Sequence, residues 1–326
     1  MKRLGLAVAV LVAGLGAARS EARAGDATAV ATVGMIGDVA QNVAGDCVSI
    51  ETLMGPGVDP HLYRPSAGDV RLLQGSDAIL YVGYALEGQL GDVLERLGAR
   101  KPTLAVAPAS IDRDELITMP DDEGVDPHLW MDAALWARTV PTIADTLTEV
   151  VPDCAEAMRA EALDYRRQLA ALDDWIAASV ASVPADRRVL VTAHDAFAYY
   201  GRAYDIDVRG IQGISTEAEA GIKDIRDAAE RVVELGVPAV FVETTVNPRT
   251  IQALVDAAAD RGHEVRVGGE LFSDAMGAPD TAEGSYIGML RANTVRIVTG
   301  LGGEPAPWPE ELHPWAERFG VDVARN

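Results

Sequence analysis

The sequence predicts an α/β protein of two β/α lobes, each built on a mostly parallel four-stranded sheet, joined by one long rigid linker helix. Three observations lead there. Short β-branched runs alternate with amphipathic segments through both halves of the chain, the pattern of parallel strands covered by helices. The thirty residues from Asp153 to Ser182, between the halves, contain neither Gly nor Pro and are rich in Ala, Leu, Arg and Glu. The 326 residues also suit two cores better than one.

In the first half, Ala27 to Val33, Val48 to Leu53, Ala78 to Val82 and Thr103 to Ala107 are short apolar runs of strand length. Between and after them, Ile36 to Val43, Ala67 to Gln74, Gly88 to Leu97 and Met131 to Val150 carry helical periodicity. The linker opens at Pro152 and Asp153 and closes before Pro184, residues suited to helix ends. One helix there would span roughly 45 Å at 1.5 Å per residue; two shorter helices with a bend are the alternative. In the second half, Arg188 to Thr192, Val208 to Ile211, Ala239 to Glu243 and Glu264 to Val267 are strand-like. Ala196 to Tyr204, Ala220 to Leu235, Pro248 to Arg261 and Tyr286 to Leu301 are helix-like. The proline-rich tail after Gly302 holds Trp308 and Trp315, expected to pack on a lobe surface. The expected organisation is therefore a leader (1–24), an N-terminal lobe (25–152), the linker (153–184) and a C-terminal lobe with its tail (185–326).

The leader reading rests on Lys2 and Arg3, then fifteen uninterrupted apolar or glycine residues from Leu4 to Ala18, then the small-x-small sequence Ala22-Arg23-Ala24. The apolar run is shorter than the ~18 residues a membrane span needs, so no direct membrane insertion is expected. No cysteine precedes Cys47, so a lipid anchor at the cleavage point is not expected either, and a free periplasmic protein fits best. Losing the leader's four cations and Glu21 takes the net charge from −22 to −25. Such a surface repels nucleic acid and anionic lipid and concentrates cations, without by itself showing a cation site.

Two cysteines in an exported chain either pair or lie buried as small apolar residues. Cys47 begins the second strand, at the base of the first sheet, and the helix after His128 returns the chain to that base just before Cys154. A disulfide tying the linker to the first lobe is the expectation.

The hexapeptide Gly-Val-Asp-Pro-His-Leu occurs twice, at 57–62 and 124–129, and places two of five histidines in the same local setting. Pro60 and Pro127 hold Asp59 and Asp126 extended and fix how each histidine leaves its loop. The flanks differ, so this is a repeated site element rather than a repeated fold unit. Ligands of open α/β sheets gather beyond the carboxyl ends of the strands. His61 and His128 fall there in the first half, His194 and Asp274 in the second. Three imidazoles and a carboxylate suit a borderline transition ion, because Ca²⁺ and Mg²⁺ prefer all-oxygen shells. If Asp274 uses both oxygens the shell closes at five donors, which points to carriage, since catalytic zinc normally keeps a position open. Glu243, ending a strand on the same side, could orient a ligand or cap the helix that begins near Pro248. His263 and His313 lie elsewhere.

Four segments carry a family resemblance: Met54 to His61, Asp126 to Asp132, Val191 to Phe197, and Gly268 to Met276. Over about Ala29 to Leu301 the chain resembles the manganese-, zinc- and iron-binding solute receptors of bacterial ABC transporters, particularly the TroA-like branch. The resemblance implies two β/α lobes joined by a backbone helix, metal held between them by His61, His128, His194 and Asp274, and a partner permease in the inner membrane. It also implies a monomer that is not an enzyme. In that family the third position is histidine in zinc-type receptors and often glutamate in manganese-type ones; here it is His194. The His-rich loop of many zinc-specific members is absent, since Met119 to Val125 offers only Asp121, Asp122 and Glu123. The pattern is therefore similar to the branch that handles Mn²⁺ or Zn²⁺, with Fe²⁺ admitted by the same donors.

Two other functions compete. A secreted metallohydrolase using the same His/His/His/Asp cluster would need an open coordination position and a nearby base, and no His-Glu-x-x-His signature is present. A receptor for an organic solute would need a roomy, partly aromatic pocket, and aromatic residues make up 5% of the chain.

Overall fold

A computed structural model describes residues 26–119 and 124–323. The expected leader, 1–24, lies outside them, as do Asp121, Asp122 and Glu123. The first lobe runs β1 (Ala27–Val33), α1 (Gly34–Ala44), β2 (Val48–Met54), α2 (Ala67–Gly75), β3 (Ala78–Tyr81), α3 (Gly91–Gly98), β4 (Thr103–Ala105), α4 (Val106–Ser110), α5 (Ala133–Trp136) and α6 (Thr139–Val150). Its strands form one parallel sheet in the order β2-β1-β3-β4. Central β1 is buried at every residue but Thr28, as a strand covered on both faces must be. Helix α1 turns Met35, Ile36, Val39, Ala40 and Val43 onto the sheet, a helical stripe. Ser66 starts α2 through a reciprocal capping box with Asp69.

Two expectations here are corrected, both by proline. The helix expected over Met131 to Val150 is broken: Asp132 caps the single turn α5, and the chain restarts as α6 with Pro141 in its first turn, where a missing N–H removes no helical bond. The strand expected to reach Ala107 stops at Ala105, and Pro108 sits in the first turn of α4.

After a 3-10 turn at Pro152–Cys154, the linker is one uninterrupted helix, α7 (Ala155–Ala181), of 27 residues and so about 40 Å long. Met158, Ala162, Tyr165, Leu169, Leu172, Ile176 and Val180 recur every three or four residues and form its buried stripe. Tyr165 donates its hydroxyl to Asp38 of α1 at 2.5 Å. Asp38 also accepts from the Tyr286 amide in the second lobe.

The second lobe runs β5 (Val189–His194), α8 (Ala198–Tyr204), β6 (Asp207–Gln212), α9 (Ile222–Leu235), β7 (Ala239–Glu243), α10 (Arg249–Ala259), β8 (Arg266–Leu271) and α11 (Tyr286–Leu301). Its four strands do not form the single ladder expected: they are split into the parallel pairs β5-β6 and β7-β8, with β5 lying beside β7. At the end of β5 the His194 amide is taken by the Glu243 side chain at 2.9 Å rather than by a ladder carbonyl.

A helix in the tail, α12 (His313–Phe319), was not anticipated from sequence. Trp308 and Trp315 are buried as expected, Trp308 against the linker and Trp315 against the start of α11, where its Nε1 donates to the Ser285 hydroxyl at 2.9 Å. The Trp308 ring packs edge-on against Trp175 of α7, and Trp175 Nε1 donates to the Ala306 carbonyl at 2.8 Å. Cys47 and Cys154 are disulfide-bonded across 107 residues, with their Cα atoms 6.4 Å apart, fastening the base of the first sheet to the start of the linker. Among the described residues no helix is long and apolar enough to cross a membrane.

Candidate metal centre

The repeated hexapeptide is an Asx turn. Asp59 Oδ1 accepts the His61 amide and Asp126 Oδ1 the His128 amide, each at 2.9 Å. Gly57 and Gly124 head the two copies with φ of 71° and 139°, values at which a side chain would be strained. The copies follow β2 and β4, His194 is the last residue of β5, and Asp274 lies three residues beyond β8. All four therefore reach the carboxyl ends of parallel strands, two from each half.

The structure brings together all four residues singled out from sequence. Their ligand-competent atoms lie within 4.8 Å of one another, and all four residues are buried. His61 Nε2 is 3.3 Å from His128 Nε2. Asp274 places Oδ1 3.3 Å from His128 Nε2 and Oδ2 3.3 Å from His194 Nε2, with His61 Nε2 at 4.0 Å. These approaches lack hydrogen-bond direction: both Asp274 oxygens and His194 Nε2 are buried without a hydrogen-bond partner. Each such atom costs about 1–3 kcal/mol, and several aimed at one point fit a cation that accepts all their lone pairs.

A second ring of carboxylates faces the outer imidazole nitrogens. Asp126 Oδ1 lies 2.7 Å from His128 Nδ1, and Glu243 Oε2 lies 2.5 Å from His194 Nδ1. Burial opposes charge on both rings, but the carboxylates outweigh it: Asp126 and Asp274 push His128 up to about 9, and Glu243 and Asp274 raise His194 well above the usual imidazole range. Asp274 is opposed by its own burial yet held well below the usual carboxylate range, chiefly by His194 and then His128. His61 has no such partner, and burial pushes it down to about 4. Of the two roles weighed for Glu243, contact with His194 is the one observed. The close approach of Asp126 to an imidazole has no signal in the sequence, although the residue lies inside the repeated motif. His263 is remote, its ring 2.9 Å from the Val237 carbonyl, and His313 is exposed.

A further support was invisible in the sequence. Buried Glu87 accepts the Thr32 hydroxyl at 2.8 Å and the Val82 and Gly83 amides at 2.6 and 3.2 Å, tying together the ends of β1 and β3. It thereby fixes Gly88, where a Cβ would come within 2.8 Å of the His61 carbonyl oxygen.

Over residues 29–300 the chain matches the family described as ZnuA, zinc-uptake complex component A, periplasmic. The chain belongs to the ZnuA family. Manganese-binding lipoprotein MntA of Bacillus subtilis is 43% identical over 271 residues, 83% of this chain and 88% of that protein. Zinc-binding protein TroA of Treponema pallidum is 42% identical over 272 residues, with the same shares. A solved structure of periplasmic zinc-binding TroA from Treponema pallidum superimposes with a TM-score of 0.83, covering 86% of this chain and 99% of that one at 40% identity. The ZnuA family consists of solute-binding receptors of metal ABC transporters and is not enzymatic, so the metallohydrolase reading falls.

Proposed function

We propose that this ZnuA-family chain captures Mn²⁺ or Zn²⁺ outside the cytoplasm and hands it to the permease of an ABC transporter in the inner membrane. One observation carries the reading: three buried imidazole nitrogens and an unpartnered buried carboxylate converge within 4.8 Å. His61, His128, His194 and Asp274 are the ligands in this reading, and the N-terminal (25–152) and C-terminal (185–326) lobes contribute two each. The donor set admits either metal and Fe²⁺, and the intrinsic order of affinities puts Zn²⁺ above Mn²⁺. Similarity to both a manganese-binding and a zinc-binding relative supports the same breadth.

The protein acts as a monomer without a lipid anchor. Its relative MntA is a lipoprotein, whereas the two cysteines of this sequence are bonded to each other and leave no thiol to acylate. The disulfide suits an oxidising compartment. Elemental analysis of protein taken from its native periplasm without chelator tests the proposal, with about one equivalent of Mn or Zn expected. Metal-free protein that also fails to bind either ion in calorimetric titration would remove it.

A further inference from the structure

The two copies of Gly-Val-Asp-Pro-His-Leu are identical in sequence and used differently. Both aspartates hold their own histidine's amide through Oδ1. In the second copy that same oxygen also reaches the imidazole, at His128 Nδ1. In the first, Asp59 leaves the imidazole alone, and its other oxygen accepts the Thr216 hydroxyl at 2.6 Å from the opposite lobe.

Thr216 belongs to residues 213–221, a stretch without helix or strand between β6 and α9. It is the single buried residue there, and its neighbours Ser215 and Glu217 are exposed. The stretch is braced from within, by Gln212 Nε2 donating to the Ala218 carbonyl at 3.0 Å, so the buried hydroxyl is presented rather than loosely placed.

The two histidine arms are fastened across the cleft very unequally. The His128 arm is held by three buried bonds: Tyr199 donates to the Asp126 carbonyl at 2.8 Å, Trp130 Nε1 to the Ser273 carbonyl at 2.9 Å, and Tyr286 to the Trp130 carbonyl at 2.7 Å. For the His61 arm, residues 55–66, the Thr216 bond to Asp59 is the one hydrogen bond to the second lobe among the described residues. An ion leaving the cleft must shed His61 or part the lobes. Parting the lobes breaks this bond, and moving the arm that carries His61 strains it.

Resting on the metal-site reading above, we propose that Thr216 is a positioning residue for His61: its hydroxyl latches the first ligand arm to the second lobe and sets how fast a bound ion escapes, without touching the ion. Thr216→Val keeps the side-chain shape and removes the hydroxyl; Thr216→Ser keeps the hydroxyl and removes the methyl. Zn²⁺-loaded full chains are mixed with excess chelator in a stopped-flow instrument and the dissociation rate is read. The expected result is roughly tenfold faster release for Thr216→Val, as for loss of a bond to a charged acceptor, with Thr216→Ser close to the wild type. Equal rates for Thr216→Val and wild type overturn the latch, and so does a Ser variant as fast as the Val variant, which would assign the effect to loop packing. A wild-type chain that never retains Zn²⁺ would instead remove the site reading, and the latch with it.

Discussion

Glu243 grips His194 at both ends: one carboxylate oxygen takes the His194 amide at 2.9 Å while the other lies 2.5 Å from the ring Nδ1. The ring can then turn only Nε2 toward Asp274, and the carboxylate raises the basicity of that nitrogen. Glu243→Gln preserves a contact to the backbone but loses the charge. Its Zn²⁺ affinity should fall about tenfold to a hundredfold, the usual loss for a group that supports a ligand. Calorimetric titration measures it, and a wild-type constant would mean that Glu243 is only structural.

Asp274→Ala should cost more than that. The change removes the one carboxylate among the four proposed ligands, a loss of charge and donor oxygens that outweighs the easier deprotonation of His128 and His194 it also brings. Loss beyond the roughly hundredfold range of a supporting residue is the expected result. The exposed His313→Ala variant serves as the control, and similar affinities for the two proteins would displace Asp274 from the ligand set.

Metal uptake should release protons. His128, raised to about 9, should carry a proton in the metal-free protein at neutral pH, and as a proposed ligand it must give that proton up. Affinity should therefore climb with pH up to about 9, and titrations at pH 7.5 in buffers of different ionisation heat should show at least one proton released. Heats independent of the buffer would contradict the protonated His128.

Metal-free stability should move with pH in two directions. The raised His128 contributes stability that is fully present below about 6.5, the unfolded value, and is lost as pH rises through about 9. The lowered His61 acts oppositely: between about 6.5 and 4 the unfolded chain binds a proton that the folded one refuses, so stability falls with falling pH. Urea unfolding of the metal-free protein across pH 5 to 10 should show both declines, and saturating metal at a hundred times its dissociation constant should add about 2.7 kcal/mol at pH 7.5.

Replacing Cys47 and Cys154 with Ala should lower stability by roughly 2–5 kcal/mol, because the bridge closes a long loop. Metal affinity should barely change, since the bridge lies at the base of the first lobe and the proposed ligands His61 and His128 at the opposite ends of its strands. A large affinity loss would show that the bridge shapes the cleft as well.

The fold was readable from sequence wherever periodicity acts within one segment. Ala27–Val33, Ala239–Glu243 and Tyr286–Leu301 fall where their patterns place them. The four cleft residues were legible because strand ends converge in parallel sheets and the hexapeptide repeats. What escaped depends on partners distant in the chain. Asp59 and Asp126 share the same six-residue surroundings, so nothing local distinguishes the one facing an imidazole from the one facing Thr216. Glu87 reads as an ordinary acidic residue until Thr32 and the Val82 amide are brought to it. Pro141 and Pro108 were visible, but their effect as helix starts rather than helix interiors depends on the turns they join.

The unbroken α7 has a consequence for traffic at the membrane. A rod of about 40 Å bonded to Asp38 on one side and to Ala306 on the other opposes any large change in the spacing of the two halves, so empty and loaded receptors should present similar outlines. A permease meeting receptors of like outline would not sort them by gross shape, and an empty one would then occupy the dock as a competitor. Transport in reconstituted vesicles should accordingly slow when metal-free receptor is added in excess over loaded receptor. The supply of receptor, as much as its affinity, would then set the rate at which scarce metal enters the cell.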